Sequence, residues 1–319
     1  MTTQLVADIG GTNARFALVT PESGIPEQVQ TLQCENFGSP LQAIHHYLSQ
    51  VNTQVAAACL AVACPVNGDE IRLTNNHWSF SKSQLQNGLG IVHLEVINDF
   101  TAAAMATTVV AGNDLCHLAP ELAFDLTQQR AIIGPGTGLG VAGMLPVDGA
   151  TLVLSTEGGH QSFAPENEVE DYILQYLRSE LAVVSREELL SGRGLVNIHR
   201  ALCSYHQQPL LFSDAESIGQ AALSGDAMAK TTLEQFFEIL GSVAGDCALS
   251  LGATGGVYIG GGIPPRFSSQ IKRSGFRRRF ENKLNFKHYL SGIATAIVMH
   301  PQPGLLGAAA YLSLHNSDN

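Results

Sequence analysis

The chain has 319 residues, 45% hydrophobic and 14% charged, which suits one large or two ordinary domains with ample core and excludes a disordered chain. Its formal net charge of −11 argues against a nucleic-acid or anionic-membrane surface, although backbone N–H groups can still cradle an anionic ligand. The opening MTTQLVADIGG has no basic leader and no apolar run reaches ~18 residues, so a soluble, cytoplasmic protein is expected.

In chain order, QLVADIGG reads as a buried strand, and ARFALVTPESG as its hairpin partner, turning at Pro21–Gly24. Leu41, Ile44, Leu48 and Val51 share one helical face over 40–51, after Ser39-Pro40 as a start signal. VAAACLAVAC, 55–64, is continuously apolar and stops at Pro65, which suits a central strand covered on both faces. HLEVIN, 93–98, is a further strand, and DFTAAAMATTVV a helix opening at an acidic residue. The second half begins again with RAIIGPGTGLGVAGMLPVDGATLVL, read as strand, Gly loop, strand, Asp148-Gly149 turn and strand. Helices are expected at 166–181, over 226–252 and near 304–314, with GGVYIGGG a strand entering a triple-glycine turn. Both halves open with a strand, a Gly loop and a hairpin, a weak internal repeat that predicts α/β layers with a boundary near residue 110. Cys34, Cys59, Cys64, Cys116, Cys203 and Cys247 form no C-x-x-C pair, so reduced, buried thiols are expected.

Glycine is abundant, 32 residues, and clusters near 10, 134–143, 158–159 and 255–262, which points to particular backbone turns. Gly138-Leu-Gly140-Val-Ala-Gly143 has the letters of the dinucleotide fingerprint, but that motif must open a helix, and 141–154 reads as a hairpin. A P-loop is excluded because the chain contains no Gly-Lys dipeptide. What remains is a hairpin whose tight turn presents N–H groups, and DIGGTNARFAL (8–18) has the same form. Thr12 and Thr137 add hydroxyl donors, and two such hairpins, one per half, could hold a triphosphate.

DIGGTNARFAL and GPGTGLGVA resemble the two phosphate loops of the sugar-kinase, actin and chaperone-ATPase superfamily, and GGVYIGGGIPPRF (255–267) resembles its adenosine-binding segment. TNNHWSFS (74–81), EVINDFTAAA (95–104), TEGGHQSFAP (156–165), LSGRGLVNIHR (190–200) and PGLLGAAAYL (303–312) resemble the bacterial glucokinases, in register over nearly the whole chain. The resemblance implies an ATP-dependent glucokinase that makes glucose 6-phosphate and ADP for glycolysis. It further implies an α/β fold of two ribonuclease-H-like domains of the actin-like ATPase kind with a cleft between them, a small one of 1–109 plus 300–319 and a large one of 110–299. ATP and glucose are the implied partners, Mg²⁺ the implied cofactor, and a homodimer the implied assembly.

By spacing alone Asp99 suits an N-cap, bonding the free N–H groups of 101–102. The resemblance makes it instead the base on the sugar 6-hydroxyl, with Asn98 on a neighbouring hydroxyl. Asp8 is either a turn residue or, as the resemblance implies, a Mg²⁺ partner through water, with no direct metal ligand expected. Asp8, Ile9, Gly10, Gly11, Thr12 and Asn13, with Gly136, Thr137 and Gly138, would hold phosphates, and Gly261 and Gly262 the adenosine. Glu157 and His160 flank two glycines and could face one vicinal diol; EGGH matches the family's sugar site at both positions. Of the adjacent Glu187 and Glu188 only one can face the sugar; the family register selects Glu187 and leaves Glu188 a solvated helix charge. Asn75 would support the sugar loop, anchored by Trp78 and Phe80 through packing. KRSGFRRRF (272–280) reads as a solvated basic face.

The nearest alternative is a kinase of another hexose or of an N-acetylhexosamine in the repressor-linked group, but HQSFAPENEVED lacks the Cys/His zinc motif of that group. A sugar-responsive regulator would need a DNA-binding helix pair ahead of the first strand, where Asp8 leaves no room. A non-transferring, actin-like ATPase gives no reason for the EGGH and IND segments.

Overall fold

A computed structural model describes residues 3–315. The chain forms two compact units, 1–112 with 147–155 and 300–319, and 113–146 with 156–299. The segment 147–155, the turn of one hairpin and most of its returning strand, groups with the first unit.

The first unit opens with β1 (Gln4–Ile9), β2 (Asn13–Val19) and β3 (Glu27–Gln33), then α1 (Pro40–Val51) and β4 (Ala57–Val62). A short hairpin, β5 (Glu70–Arg72) and β6 (Ser79–Ser81), leads to α2 (Lys82–Leu89), β7 (His93–Asn98) and α3 (Asp99–Ala106). α1 starts where the Ser39 side chain accepts from the Gln42 amide with Pro40 behind it, and ends at Asn52 in the left-handed region. The strand order is β3-β2-β1-β4-β7, with β1 antiparallel to β2 and parallel to β4, and β4 parallel to β7. Register places Ile9 beside Val62 and Val62 beside Asn98, so β1, β4 and β7 end at one edge.

The second unit holds β8 (Leu115–His117), β9 (Arg130–Pro135), β10 (Leu139–Val147) and β12 (Gly256–Ile259); β11 (Ala150–Thr156), next to β10 in the strand order, groups with the first unit up to Ser155. β13 (Thr295–Val298) is its last strand. Its helices are α4 (Glu168–Arg178), α5 (Gly192–Tyr205), α6 (Ala215–Ser224), α7 (Ala227–Leu251), α8 (Ser268–Arg273), α9 (Phe276–Glu281) and α10 (Lys287–Ser291). The order is β11-β10-β9-β12-β13-β8: apart from the added β8, it repeats the order of the first sheet. That repeat gives structural form to the strand, Gly loop, hairpin pattern read in both halves.

The last helix, α11 (Pro303–His315), belongs to the first unit and covers one face of its sheet. Alternation along β4 explains why 57–62 is wholly buried. Ala58, Leu60 and Val62 join the core with α1, and Ala57, Cys59 and Ala61 pack on Leu305, Ala308 and Leu312 of α11. The second unit packs around α7, with Phe236, Phe237 and Leu240 against Ile133, Ile259 and Leu195. Five of the six free cysteines are buried and Cys116 is half-buried.

Candidate functional site

At the carboxyl edge of the first sheet, β1 runs into the Gly loop and β7 into α3. The Gly10 N–H donates to the Asn13 carbonyl at 2.9 Å, closing the turn between β1 and β2. Asn76 Nδ2 donates to the Gly10 carbonyl at 3.1 Å, and the Asn75 backbone packs on Gly11. Trp78 anchors this support: its ring is buried and its Nε1 donates to the Phe37 carbonyl at 2.9 Å, while Phe80 is partly buried against the same core. Asn76 is a support that sequence reasoning missed. Its position two residues before the buried Trp78 was the available signal.

Asp8 accepts from Arg15 Nη1 at 3.1 Å across the β1–β2 pair, yet burial still raises its carboxyl above the usual range. α11 begins beside it, and a Cβ on Gly304 would lie 2.7 Å from the Asp8 carboxyl carbon. A side chain there would displace the Asp8 carboxyl, so glycine lets the first turn of the helix approach the acid.

Asn98, rather than Asp99, caps α3. Its Oδ1 accepts from the amides of Phe100 (2.9 Å) and Thr101 (3.3 Å), while Nδ2 donates to the Cys64 carbonyl at 3.2 Å. The capping assignment for Asp99 is corrected by one residue, because β7 runs to Asn98 and only that residue keeps extended backbone. Asp99 becomes the first helical residue with its carboxylate released from the cap. Burial, reinforced by the Asp8 charge, pushes this carboxyl up to about 6 against the favourable amides of Phe100 and Asp99 itself. A carboxylate at that value is poised to take a proton near neutral pH.

In the second unit the loop after β9 folds tightly, with Gly136 N–H donating to the Gly138 carbonyl at 2.8 Å and Gly192 N–H, at the start of α5, donating to the Gly136 carbonyl at 2.8 Å. The triple-glycine turn after β12 is tied to the same strand by Gly260 N–H to Ile133 and Ile263 N–H to Pro135 carbonyls, at 2.8 and 3.2 Å. A Cβ on Gly261, whose φ is +82°, would meet the Pro135 carbonyl oxygen at 2.3 Å. The two Gly segments assigned to one nucleotide are thus neighbours in this unit. Gly140 and Gly143 lie within β10, so the fingerprint letters fall on a strand.

Glu157 and His160 lie at the two ends of a short 3₁₀ turn and are both exposed, with His160 Nε2 3.9 Å from Glu157 Oε2. The turn lies so close on β10 that a Cβ at Gly159 would stand 2.1 Å from the Leu139 carbonyl oxygen. Glu187 reaches the same strand: its Oε2 accepts from the Leu139 amide at 2.9 Å. Glu157, His160 and Glu187 are therefore referred to one residue, Leu139, directly after the Gly136–Gly138 loop.

Glu188 is not a solvated charge. It is only 17% exposed, with Arg193 Nη2 donating at 2.6 Å and Asn197 Nδ2 at 3.3 Å. The reading of KRSGFRRRF as a solvated face holds for Lys272, Arg273 and Arg278, which are exposed, and is corrected for Arg277 and Arg279. Arg279 is buried on the fully buried Glu170, at 2.7 and 3.1 Å, and Arg277 donates to the carbonyls of Leu290, Ser291 and Ile293.

The glucokinase family model matches residues 5–315. The chain is 45% identical over 314 residues to the glucokinase of Yersinia pestis (strain Pestoides F), covering 97% of this chain and 95% of that relative. A solved glucokinase from an Antarctic psychrotroph superimposes with a TM-score of 0.90 at 39% identity, over 99% of each chain. The fold also matches, at a TM-score of 0.64 and 18% identity over 97% and 98% of the chains, a ROK family glucokinase from Streptomyces griseus in complex with glucose and AMPPNP. On its sequence and its fold alike, the chain belongs to the glucokinase family.

Proposed function

We propose that this protein transfers the terminal phosphoryl group of ATP to the 6-hydroxyl of glucose, giving glucose 6-phosphate and ADP. The observation that carries the reading is the Asp99 carboxylate, released from capping by Asn98 and raised to about 6 at the edge where the Gly loop also ends. Asp99 takes the hydroxyl proton as the oxygen attacks phosphorus, and the remaining Asn98 Nδ2 hydrogen serves a neighbouring hydroxyl. Glu157, His160 and Glu187 hold the other hydroxyls, a carboxylate accepting and an imidazole donating or accepting. Backbone N–H groups of residues 8–13 and 136–138 bind the phosphates, Gly261 and Gly262 lie under the adenosine, and positioning and electrostatics supply the rate.

In this reading Asp8 is the residue that would partner Mg²⁺. Asp8 is a single carboxylate at the end of β1 with a Gly loop beside it, the donor set expected for a cation that keeps its waters and shares phosphate oxygens. Such an ion, when bound, neutralises phosphate charge. Asp8 would hold it through water, and Arg15 keeps Asp8 oriented.

The repeated strand order supports reading each unit as a ribonuclease-H-like domain of the actin-like ATPase kind. A cytoplasmic homodimer belongs to the same reading, and among the described residues no helix is long and apolar enough to cross a membrane. The test is the purified protein with Mg-ATP and a panel of hexoses and N-acetylhexosamines, following ADP formation for each. Acceleration by glucose above the other sugars is expected; preference for an N-acetylhexosamine would replace glucose as the substrate.

A further inference from the structure

The assigned sugar ligands of the second unit sit on two segments far apart in sequence, Glu157–His160 and Glu187, and a reaction on one hydroxyl needs their spacing held constant. The residues immediately following and preceding them do this. Gln161 follows His160, and Arg186 precedes Glu187. Ser162 and Ser185 form an antiparallel bridge, flanked by Phe163 N–H to the Val184 carbonyl at 3.0 Å and Arg186 N–H to the Gln161 carbonyl at 2.8 Å.

The Arg186 side chain adds a second tie. Its Nη1 donates to Gln161 Oε1 at 2.5 Å and its Nη2 to Asp246 Oδ2 on α7 at 3.3 Å, with the guanidinium side chain only 14% exposed. Asp246 is fixed in turn by Lys283, which also pairs with Glu166. One planar group thus fastens both ligand segments to the central helix of the unit, a bidentate task for which lysine has the wrong shape.

We propose that Arg186 is a positioning residue for sugar recognition, clamping the Glu157–His160 turn and Glu187 at a fixed spacing through Gln161 and Asp246. The inference rests on the glucokinase reading of those ligands. Arg186 does not touch the sugar; it acts by keeping the gap between its neighbours constant. Its expected signature is a selective one, because the Arg186 guanidinium bonds Gln161 and Asp246, whereas the Gly136 carbonyl accepts from the Gly192 amide.

The test compares Arg186→Met, Arg186→Lys, Gln161→Ala and their double variant with the parent, measuring KM for glucose, KM for ATP, kcat and thermal midpoint. Arg186→Met should raise the glucose KM about tenfold while leaving the ATP KM within about twofold, the loss expected when charge-assisted bonds that orient a ligand are removed. Arg186→Lys should recover part of this, and Arg186→Met combined with Gln161→Ala should cost less than the sum of the two. Arg200→Met, which breaks an exposed ion pair with Glu180, should leave the glucose KM unchanged. An unchanged glucose KM in Arg186→Met, or equal rises in both KM values, overturns the positioning role. Should Arg186→Met fail to fold, Gln161→Ala on the exposed turn answers the same question: a raised glucose KM supports the clamp and an unchanged one overturns it. Glu187→Gln run alongside separates the two ideas. If it also leaves the glucose KM unchanged, the sugar-site reading fails; if it alone raises the KM, only the clamp fails.

Discussion

Asp99→Asn keeps the size of the side chain and the Asn98 cap while removing the group assigned to accept the 6-hydroxyl proton. A positioned general base contributes roughly a hundred- to ten-thousandfold, so kcat should fall by about that factor while ATP affinity is retained. Stability should move the other way. The carboxyl is raised from its ordinary 3.8 to about 6, so the ionised form destabilises the fold by at most roughly 3 kcal/mol. Below pH 3.8 both folded and unfolded chains hold the proton and nothing is lost. Between 3.8 and about 6 the unfolded chain releases a proton that the folded chain keeps, so stability falls as pH rises; above about 6 the loss is complete. The asparagine variant should therefore resist urea better than the parent at about pH 8, with the gain vanishing below about pH 4. A coupled ADP assay and urea titrations at both pH values measure the two effects. Near-normal kcat would refute the base assignment, and a variant less stable than the parent at high pH would refute the buried, raised carboxyl.

Other consequences follow from the same contacts. The parent's kcat/KM for glucose should fall below about pH 6 as Asp99 protonates, and a flat profile from pH 5 to 8 would place the base elsewhere. Gly159→Ala drives a Cβ into the Leu139 carbonyl oxygen; urea unfolding should show a loss of about 1–3 kcal/mol and kinetics a raised glucose KM. Arg279→Met strands the fully buried Glu170 and should cost about 3–5 kcal/mol in a urea titration. Removing Mg²⁺ with a chelator should abolish glucose phosphorylation, and restoring it should recover the rate, read by ADP formation; unchanged turnover would remove the ion from the reaction.

Much of the framework could be read from the chain because it is written locally. The largely apolar runs at 4–9, 57–62 and 131–135 each became a strand, and the first and third feed the predicted Gly loops. What was not readable depended on partners distant in sequence or on one residue of register. The cap on α3 fell to Asn98 because β7 ended one residue before Asp99, a boundary that neither Asn nor Asp announces, since both cap well. Arg279 lies in a string of cations whose meaning changes only when Glu170, 109 positions earlier, is placed against it. Glu188 was misread for the same reason: Arg193 and Asn197 approach it only once α5 has formed. The linkage of Glu187 to Leu139 across 48 positions likewise needed the fold.

The most direct measurement counts ADP and glucose 6-phosphate together, with purified protein and Mg-ATP, in the presence and absence of glucose. One glucose 6-phosphate for each ADP, with little ADP formed when glucose is omitted, is the predicted result. ADP released at the same rate without glucose would contradict it and mark the chain as an ATPase that does not transfer to the sugar.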